Sequence, residues 1–326
     1  MGSAAKPVVC IVTPGTRDAN NGNWRTAVRW AGMLRDRYRV IVQTAWDGEA
    51  ADAMIALHAR RSAQSIAAFR ERAAGRRMAV VLTGTDLYKD LPGASEDVGR
   101  SLDLADRIVM LQEDAPHLLE SRWRRKSDVI FQSARPLARR RKSPDRLDCV
   151  VVGHLREEKD PRTLFRAIER IPEGLPIHIR HIGAPLDPEL GNLARALAQR
   201  EPRYRYAGPL PRGLTRAAIG AAHLLIHPSV VEGGANVIVE AITAGTAVVA
   251  SRISGNVGML GRDYPGYFEP GDESGLARRL VQAWNDRAFR RSLDLAAARR
   301  KPLFSPAREA RAIRELARSL LAQGAA

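Results

Sequence analysis

Short apolar runs alternate with longer mixed stretches along most of the chain. Each run ends at a glycine, a proline or a charged residue, which is the pattern of buried parallel strands. The alternation of strand and helix predicts an α/β fold whose sheets carry helices on both faces. The predicted strands are residues 8–13, 40–42, 78–83, 107–111, 128–131, 149–152, 177–182, 204–207, 224–227, 248–250 and 266–268.

The stretches between these runs carry apolar residues at helical spacing, and Pro161 suits the first turn of one of them. A charged, proline-punctuated segment, residues 136–148, separates two similar halves and predicts a linker. We expect two doubly wound Rossmann-like domains, residues 1–140 and 141–305, whose parallel sheets face each other across a cleft. A last helix, within residues 306–326, is expected to pack back toward the first domain. The predicted helices are residues 24–37, 54–68, 98–105, 160–171, 188–199, 214–221, 273–288, 306–321 and one that begins near residue 235.

The net charge of +16 makes nucleic acid a partner to consider. Aromatic residues make up only 5% of the chain, and no basic run is interleaved with them, which argues against such a partner. Most arginines lie on helix-like stretches such as residues 25–40, where we interpret them as solvated helix surface. A minority remain for anionic small substrates.

Both cysteines, Cys10 and Cys149, lie in strand-like apolar runs. Buried free thiols are therefore expected, rather than a disulfide or a metal site, and these suit a reducing compartment. The N-terminus lacks a secretory pattern, and no apolar run approaches the length of a membrane span. We expect a cytoplasmic protein without stable membrane association.

A glycine pair between two glutamates is the strongest candidate for chemistry. Residues 229–251 read SVVEGGANVIVEAITAGTAVVAS, which places Glu232 in a loop and Glu240 in the second turn of a helix. The free N–H groups at the helix start attract anions, and the two glycines let a phosphate approach the backbone. The helix thus offers amides for a diphosphate and carboxylates for sugar hydroxyls. The alternative is a surface helix with two solvated glutamates.

A second candidate segment, residues 153–161, reads GHLREEKDP. Arg156 and Lys159 project from a loop at the carboxyl end of a predicted strand, where open α/β sheets bind ligands. A lysine there can neutralise a diphosphate leaving group as its bond breaks. An ordinary solvent-exposed lysine is the alternative.

The N-terminal half offers weaker candidates. A loop rich in glycine and asparagine follows the first predicted strand, and the helix start after it could hold an anion or could be an ordinary capped loop. The G-x-G-x-x-G fingerprint is missing, so NAD is not expected. Asp86 and Lys89 lie just past the carboxyl end of another strand. The candidates at the helix start are Asn20, Gly22, Asn23, Arg25 and Thr26.

Taken together, these segments resemble the retaining, nucleotide-sugar-dependent glycosyltransferases of family 4, which have the GT-B fold. The resemblance is carried by a G-R-L-x-x-x-K-G-like loop at residues 153–161 and an E-G-x-G/A-x-x-x-x-E element at residues 232–240. It extends to the N-terminal glycine-rich loop, a G-T-D segment, ADRIVMLQEDAPHL and HIGAP.

The resemblance implies a role for each matching residue. Lys159 would contact the diphosphate, Glu232 the transferred sugar and Glu240 the ribose hydroxyls. Backbone N–H groups of residues 234–236 would hold sugar and phosphate oxygens. The implied catalytic residues are Lys159, Glu232 and Arg156. The implied donor-binding residues are Gly15, His154, Gly233, Gly234, Ala235, Asn236, Val237 and Glu240.

The chain departs from the family pattern at two places. His154 stands where the family has an arginine, so either Arg156 supplies that charge or the leaving group is stabilised differently. The family's middle-domain histidine is not evident in the stretch LTGTDLYKD. No Asp-x-Asp pair occurs, so we expect no metal, and positive side chains with a helix terminus would hold the diphosphate.

A finer resemblance comes from NGNWRTAVRW, GHLREEKDP and SVVEGGANVIVE, which together look like the selenosugar synthases of selenoneine biosynthesis. Those enzymes join selenophosphate to a UDP-sugar such as UDP-N-acetylglucosamine. An anionic selenium nucleophile needs no general base, so the missing histidine would be tolerable. A transferase for a hydroxyl acceptor, lipid or small molecule, and a binding protein without catalysis are the alternatives. The candidate acceptor-binding residues are Asn20, Gly22, Asn23, Arg25, Thr26, Asp86 and Lys89.

Overall fold

A computed structural model of the protein describes residues 5–16, 22–138 and 140–322. The chain forms two compact units. The first unit is Met1–Gln132 together with Pro306–Ala326, and the second is Ser133–Ser305. The charged segment that we predicted as a linker, residues 136–148, therefore belongs to the second unit and leads into its first strand.

The first unit is built on one parallel sheet. Its strands are β1 (Val8–Val12), β2 (Arg39–Gln43), β3 (Ala53–Leu57), β4 (Arg77–Leu82), β5 (Arg107–Met110) and β6 (Ser127–Val129). The helices that precede β6 in the chain are α1 (Gly22–Leu34), α2 (Ala63–Arg72), α3 (Glu96–Leu104) and α4 (Ser121–Arg124). In the described residues the strand order is β2-β1-β3-β4-β5-β6, and all neighbours are parallel, which is a doubly wound topology.

Alternate residues of β1 enter two different cores. Val9 and Ile11 pack with residues of α1, whereas Cys10 and Val12 pack with residues of α2 and α3. Successive side chains of a strand point to opposite faces, so helices cover both faces of this sheet, as predicted. Cys10 is a free, buried thiol, and burial raises its pKa to about 12.

The prediction of one helix over residues 54–68 is wrong. Strand β3 occupies Ala53–Leu57 between β1 and β4, and α2 begins only at Ala63. Every residue of β3 is buried, because it lies in the middle of a sheet covered on both faces. Such a strand has no polar face, so its apolar pattern cannot be told from that of a buried helix.

The second unit repeats this architecture. Its strands are β7 (Leu147–Val152), β8 (Ile177–Ile182), β9 (Tyr204–Tyr206), β10 (Leu224–His227), β11 (Ala247–Ser251) and β12 (Tyr267–Phe268). Its helices are α5 (Pro161–Glu169), α6 (Pro188–Arg200), α7 (Arg212–Ala221), α8 (Asn236–Ala244), α9 (Ser254–Leu260), α10 (Glu273–Asn285) and α11 (Arg287–Arg300). The strands, as far as they are described, are parallel in the order β12-β11-β10-β7-β8-β9.

Two helices of this unit were not predicted. Helix α9 is short, and α11 follows α10 so closely that the pattern predicted a single helix over residues 273–288. The break is at Asp286, whose carboxylate accepts hydrogen bonds from the backbone N–H groups of Ala288 and Phe289 and so caps α11.

The last helix, α12 (Pro306–Leu321), has the predicted bounds and lies in the first unit. Its Glu309 is buried and accepts a hydrogen bond from Trp30 Nε1 at 2.8 Å and from Arg29 Nε at 2.9 Å. Both partners belong to α1, so a buried, paired charge joins the two helices. The end of the chain thereby helps to hold the helix that follows the N-terminal loop.

Candidate functional site

Two loops of the second unit meet because their strands are neighbours. Strands β7 and β10 pair in parallel, so the segments that follow them leave the same edge of the sheet. The backbone N–H of Val230 donates to the carbonyl of Glu158 at 3.0 Å and joins the two segments. The two motifs found in the sequence, residues 153–161 and 229–251, are therefore parts of one site.

Helix α8 begins at the glycine-rich end of the second loop. Its N-cap residue is Ala235, which has no side-chain acceptor for the first N–H groups of the helix. Such a helix start can bind an anionic group of a ligand. Residues 233–237, which we predicted as donor-binding, lie at this helix start. They are Gly233, Gly234, Ala235, Asn236 and Val237.

Glu240 lies in the second turn of α8, as predicted, and is 7% exposed. Arg212, at the start of α7, holds its Nε 3.7 Å from Glu240 Oε1 and is itself largely exposed. The carboxylate is thus positioned by a helix, and the exposed guanidinium of Arg212 lies near it. A buried carboxylate of this kind can accept hydrogen bonds from two adjacent hydroxyls of a ligand.

Two side chains approach the same oxygen atom of Glu232. Lys159 Nζ contacts Glu232 Oε1, and His227 Nε2 lies 3.1 Å from it. Burial acts to raise the pKa of Glu232, but the charge of Lys159 and the contact with His227 lower it well below its usual range. Glu232 is therefore an ionised carboxylate that accepts hydrogen bonds and is unsuited to donate a proton.

The position of Lys159 depends on the turn that precedes α5. Residues Glu157–Lys159 form a 3-10 turn, and Asp160 follows with a φ of +43°. The Asp160 carboxylate then accepts from the Thr163 N–H and caps α5. Gly153 lies against the Lys159 stem, since an added Cβ would be 3.5 Å from it. The turn thereby directs Lys159 toward Glu232.

The other two basic candidates of this segment, Arg156 and His154, make different contacts from those of Lys159. Arg156 Nε is 4.0 Å from Glu158 Oε2, and among the described residues it forms no ion pair with Glu232 or Glu240. His154 Nδ1 accepts from the backbone N–H of Ala184 at 3.0 Å. Neither residue is joined to the Lys159–Glu232 pair by these contacts, so their catalytic and donor-binding roles stay predictions.

The backbone of Glu232 is packed against Gly255, in the first turn of α9. A Cβ at Gly255 would lie 1.9 Å from the carbonyl oxygen of Glu232. Nearby, Ser251 donates from its hydroxyl to the carbonyl of Ser229, and Asn256 donates to Ser251. The unpredicted helix α9 therefore supports the loop that carries Glu232.

We expect Gly255→Ala to disturb the loop that carries Glu232. The new methyl group meets backbone, which cannot move without displacing residue 232, so we expect a loss of about 1–3 kcal/mol in stability. A fall in melting temperature, measured by calorimetry, would be the result. Gly213→Ala, in α7, is the matched control because nothing lies within 4 Å of its added Cβ. An unchanged melting temperature in Gly255→Ala would contradict this account.

The acceptor candidates lie in the first unit, at two places. Asn20 lies outside the described residues, and four acceptor candidates lie in the first turns of α1. Gly15, which we predicted as donor-binding, follows β1 in this same unit. Thr26 is buried, donates to the Gly22 carbonyl at 2.9 Å and accepts from Gln132 Nε2. Thr26 therefore supports the start of α1. The four candidates in α1 are Gly22, Asn23, Arg25 and Thr26.

Asp86 is completely buried and organises its own loop. Its carboxylate accepts hydrogen bonds from the backbone N–H groups of Thr83 at 2.9 Å, Gly84 at 2.8 Å and Ala59 at 3.0 Å. Its oxygens are thus used within the protein, which suits a positioning role better than direct contact with an acceptor. Lys89 is exposed on the turn Asp86–Asp90.

His58, which the sequence analysis did not select, lies against the same loop. It is 3% exposed, has a φ of +71°, and its Nε2 is 3.0 Å from Thr85 Oγ1. Burial lowers its pKa, partly opposed by the charge of Asp86, so the imidazole is neutral. The family's histidine is not evident in the stretch LTGTDLYKD, and His58 lies beside that stretch. His58 was not recognised as a candidate in the sequence because residues 54–68 were predicted as a helix.

Among the described residues, no group of three or more His, Cys, Asp and Glu side chains is placed to share a metal ion. The expectation of a donor site without metal stays a prediction. Within the same residues, no helix combines the length and the apolar character needed to cross a membrane.

Comparison with known proteins places this site in a family segment. Residues 146–286 match the sequence model described as Glycosyl transferases group 1, and this segment contains both motifs of the site. No curated protein sequence matches the chain.

Solved structures resemble the chain over almost its whole length. HepE of Anabaena, solved with UDP, is 16% identical with a TM-score of 0.75, over 96% of this chain and 100% of that one. Sucrose-phosphate synthase of Thermosynechococcus elongatus is 16% identical with a TM-score of 0.77, over 97% and 99%. A glycosyltransferase of Rickettsia africae is 13% identical with a TM-score of 0.72, over 98% and 100%. The expected GT-B fold, with two Rossmann-like parallel-sheet domains, is thereby confirmed.

Proposed function

We propose that this protein is a UDP-sugar-dependent glycosyltransferase whose second unit binds the donor. The arrangement of Lys159, Glu232 and Glu240 around the start of α8 carries this proposal. It offers a cation and helix amides for a diphosphate, and carboxylates for hydroxyls, within one site. HepE of Anabaena has been solved with UDP and with UDP-glucose, which supports the same donor class here.

Each of these residues binds a different part of the UDP-sugar. Glu240 binds the ribose hydroxyls, and Lys159 with the N–H groups at the start of α8 binds the diphosphate. As the bond between the sugar and the diphosphate breaks, negative charge grows on the leaving UDP, and Lys159 stabilises it there. Glu232 accepts a hydrogen bond from a hydroxyl of the transferred sugar.

For the acceptor we propose selenophosphate, with N-acetylglucosamine as the transferred sugar. This step rests on the resemblance to the selenosugar synthases of selenoneine biosynthesis. The selenium atom attacks the anomeric carbon, a carbon–selenium bond forms, and the bonding electrons to the leaving oxygen pass to UDP. Water then cleaves the selenium–phosphorus bond and releases phosphate. Retention of configuration places selenium on the face that UDP leaves, with the leaving phosphate assisting.

One observation favours a hydroxyl acceptor as the second candidate. His58 is buried beside the segment in which the family's histidine is not evident, and burial lowers its pKa, which favours the neutral imidazole. A neutral imidazole can accept the proton of an attacking hydroxyl, which selenium does not require. The argument from a missing base therefore no longer separates the two acceptors.

Mass spectrometry of the products decides between them. We expect the chain, UDP-N-acetylglucosamine and selenophosphate to give UDP and a selenosugar, whose anomeric coupling in NMR reports retention. Turnover with hydroxyl acceptors but none with selenophosphate would replace the selenium assignment by the second candidate. Absence of both UDP binding and UDP-sugar turnover, with salt-sensitive binding of duplex DNA, would overturn the transferase proposal itself.

A further inference from the structure

His227, the last residue of β10, is buried beneath the loop that carries Glu232. It is 2% exposed, and its Nε2 lies 3.1 Å from Glu232 Oε1. The ring is not aligned for a hydrogen bond, and within the described part of the chain Nε2 has no hydrogen-bond partner. A buried polar nitrogen without a partner is costly, so a small rotation that aligns it with the carboxylate is favoured.

Space for this rotation exists beside the ring. A cavity of about 10 Å³ lies between Lys159, His181, His227 and Ser229, large enough for one water molecule at most. The hydroxyl of Ser229 is also buried and lacks a hydrogen-bond partner among the described residues. The space beside His227 is thus not completely filled, which permits the ring to move by a fraction of an ångström.

The two nitrogen atoms that approach Glu232, one from Lys159 and one from His227, lie near the same carboxylate oxygen. Lys159 Nζ and His227 Nε2 contact Oε1, whereas no described side chain forms a hydrogen bond or ion pair with Glu232 Oε2. One oxygen therefore anchors the carboxylate and the other is left for a ligand. The two anchors differ, because the lysine is long, flexible and 21% exposed, and the imidazole is rigid and buried.

We infer that His227 is a positioning residue of the donor site, which holds Glu232 through Oε1 so that Oε2 meets a hydroxyl of the transferred sugar. The inference rests on the proposed function. When a diphosphate binds, it competes for Lys159, and the hold of the lysine on Glu232 weakens. His227 has no such competitor, because it is buried behind the carboxylate. It therefore keeps Glu232 in place at the moment when Lys159 turns to the leaving group.

This role predicts which step fails without the imidazole. UDP itself is bound by Glu240, Lys159 and the N–H groups of α8, so its affinity does not need His227. The sugar-dependent step needs an ordered Glu232 and is expected to slow. Loss of a hydrogen bond to a charged group corresponds to a decrease of about 10- to 100-fold in the rate of this step.

The test compares His227→Phe with His227→Gln in the full chain. Phenylalanine removes the donor, whereas glutamine places an amide N–H close to the position of Nε2. We expect His227→Phe to lower kcat with UDP-N-acetylglucosamine by at least about tenfold while the Kd of UDP changes by less than about threefold. We expect His227→Gln to recover most of kcat. His223→Gln is the matched control, since His223 precedes the same strand and contacts Asp148 and Ser143 instead.

The outcomes separate this inference from the function on which it rests. Wild-type protein without any UDP-sugar turnover overturns the proposed function and the inference with it. Active wild-type protein with an equally active His227→Phe variant overturns the positioning role alone. A purely structural role would lower the melting temperature, UDP affinity and kcat together without recovery in His227→Gln, and this result also overturns the inference.

Discussion

Replacing Glu240 by alanine is expected to lower kcat/KM for the UDP-sugar by about 100-fold or more. In the proposed complex one buried carboxylate binds two ribose hydroxyls, and each hydrogen bond to a charged group contributes about 1.5–3 kcal/mol. Removal of the carboxylate also leaves those hydroxyls without partners in a site shielded from water. UDP binding should weaken by a similar factor, because ribose is common to UDP and UDP-sugar. Calorimetry with UDP and the initial rate of UDP release measure the two effects.

The control for this variant is Glu157→Ala, because Glu157 lies in the same unit and its side chain is 65% exposed. Its removal should leave both quantities unchanged. Glu240→Gln keeps one oxygen acceptor and should fall between the wild type and Glu240→Ala. If Glu240→Ala bound UDP as tightly as the wild type, the assignment of Glu240 to ribose would be wrong.

Lys159→Ala is expected to reduce kcat by about 100- to 1,000-fold, the usual cost of losing one group that stabilises transition-state charge. It also leaves Glu232 with His227 as its remaining anchor. Burial acts to raise the pKa of Glu232, and in the wild type the nearby cation opposes it. Without Lys159 the pKa of Glu232 should rise toward its usual range or above it. We therefore expect activity to decline on acidification at a higher pH than in the wild type, in a pH–rate profile.

Two further variants sharpen this test. Lys159→Arg keeps a positive charge and should retain more activity than Lys159→Ala, although the planar guanidinium fits the pair differently. Lys301→Ala removes an exposed lysine of the same unit and should be neutral. Similar kcat values for the wild type and Lys159→Ala would remove Lys159 from the leaving-group role.

The segments that form this site could be recognised in the sequence because their features are local. Glycines next to a helix start, a carboxylate in the second turn and a lysine before a proline-initiated helix are all visible within short segments. What the segments could not reveal is that Lys159 and Glu232 share one ion pair. That contact depends on the pairing of β7 with β10, which are separated by two other strands in the chain.

The missed residues are those whose role comes from distant neighbours. His227 precedes a proline and a serine in an apolar run, and nothing local distinguishes it from a core histidine. Gly255 matters only because the backbone of Glu232 lies against it. The acceptor-binding role of Asp86 stays a prediction, and its hydrogen bond from the backbone N–H of Ala59 could not be foreseen from the sequence. Such partners are brought together by the sheet, so spacing along the chain does not predict them.

The sequence by itself determined the alternation of strands and helices, the division into two similar halves and the residue types of the two predicted donor motifs. These follow from short-range patterns, since strand burial, helix starts and turns depend on residues close together in the chain. Only the tertiary structure decided that residues 53–57 are a central strand, that α9 supports the Glu232 loop, and that His227 and Lys159 share Glu232 Oε1. The physical reason is that burial on both faces and contact between distant segments arise only when parallel strands assemble into a sheet.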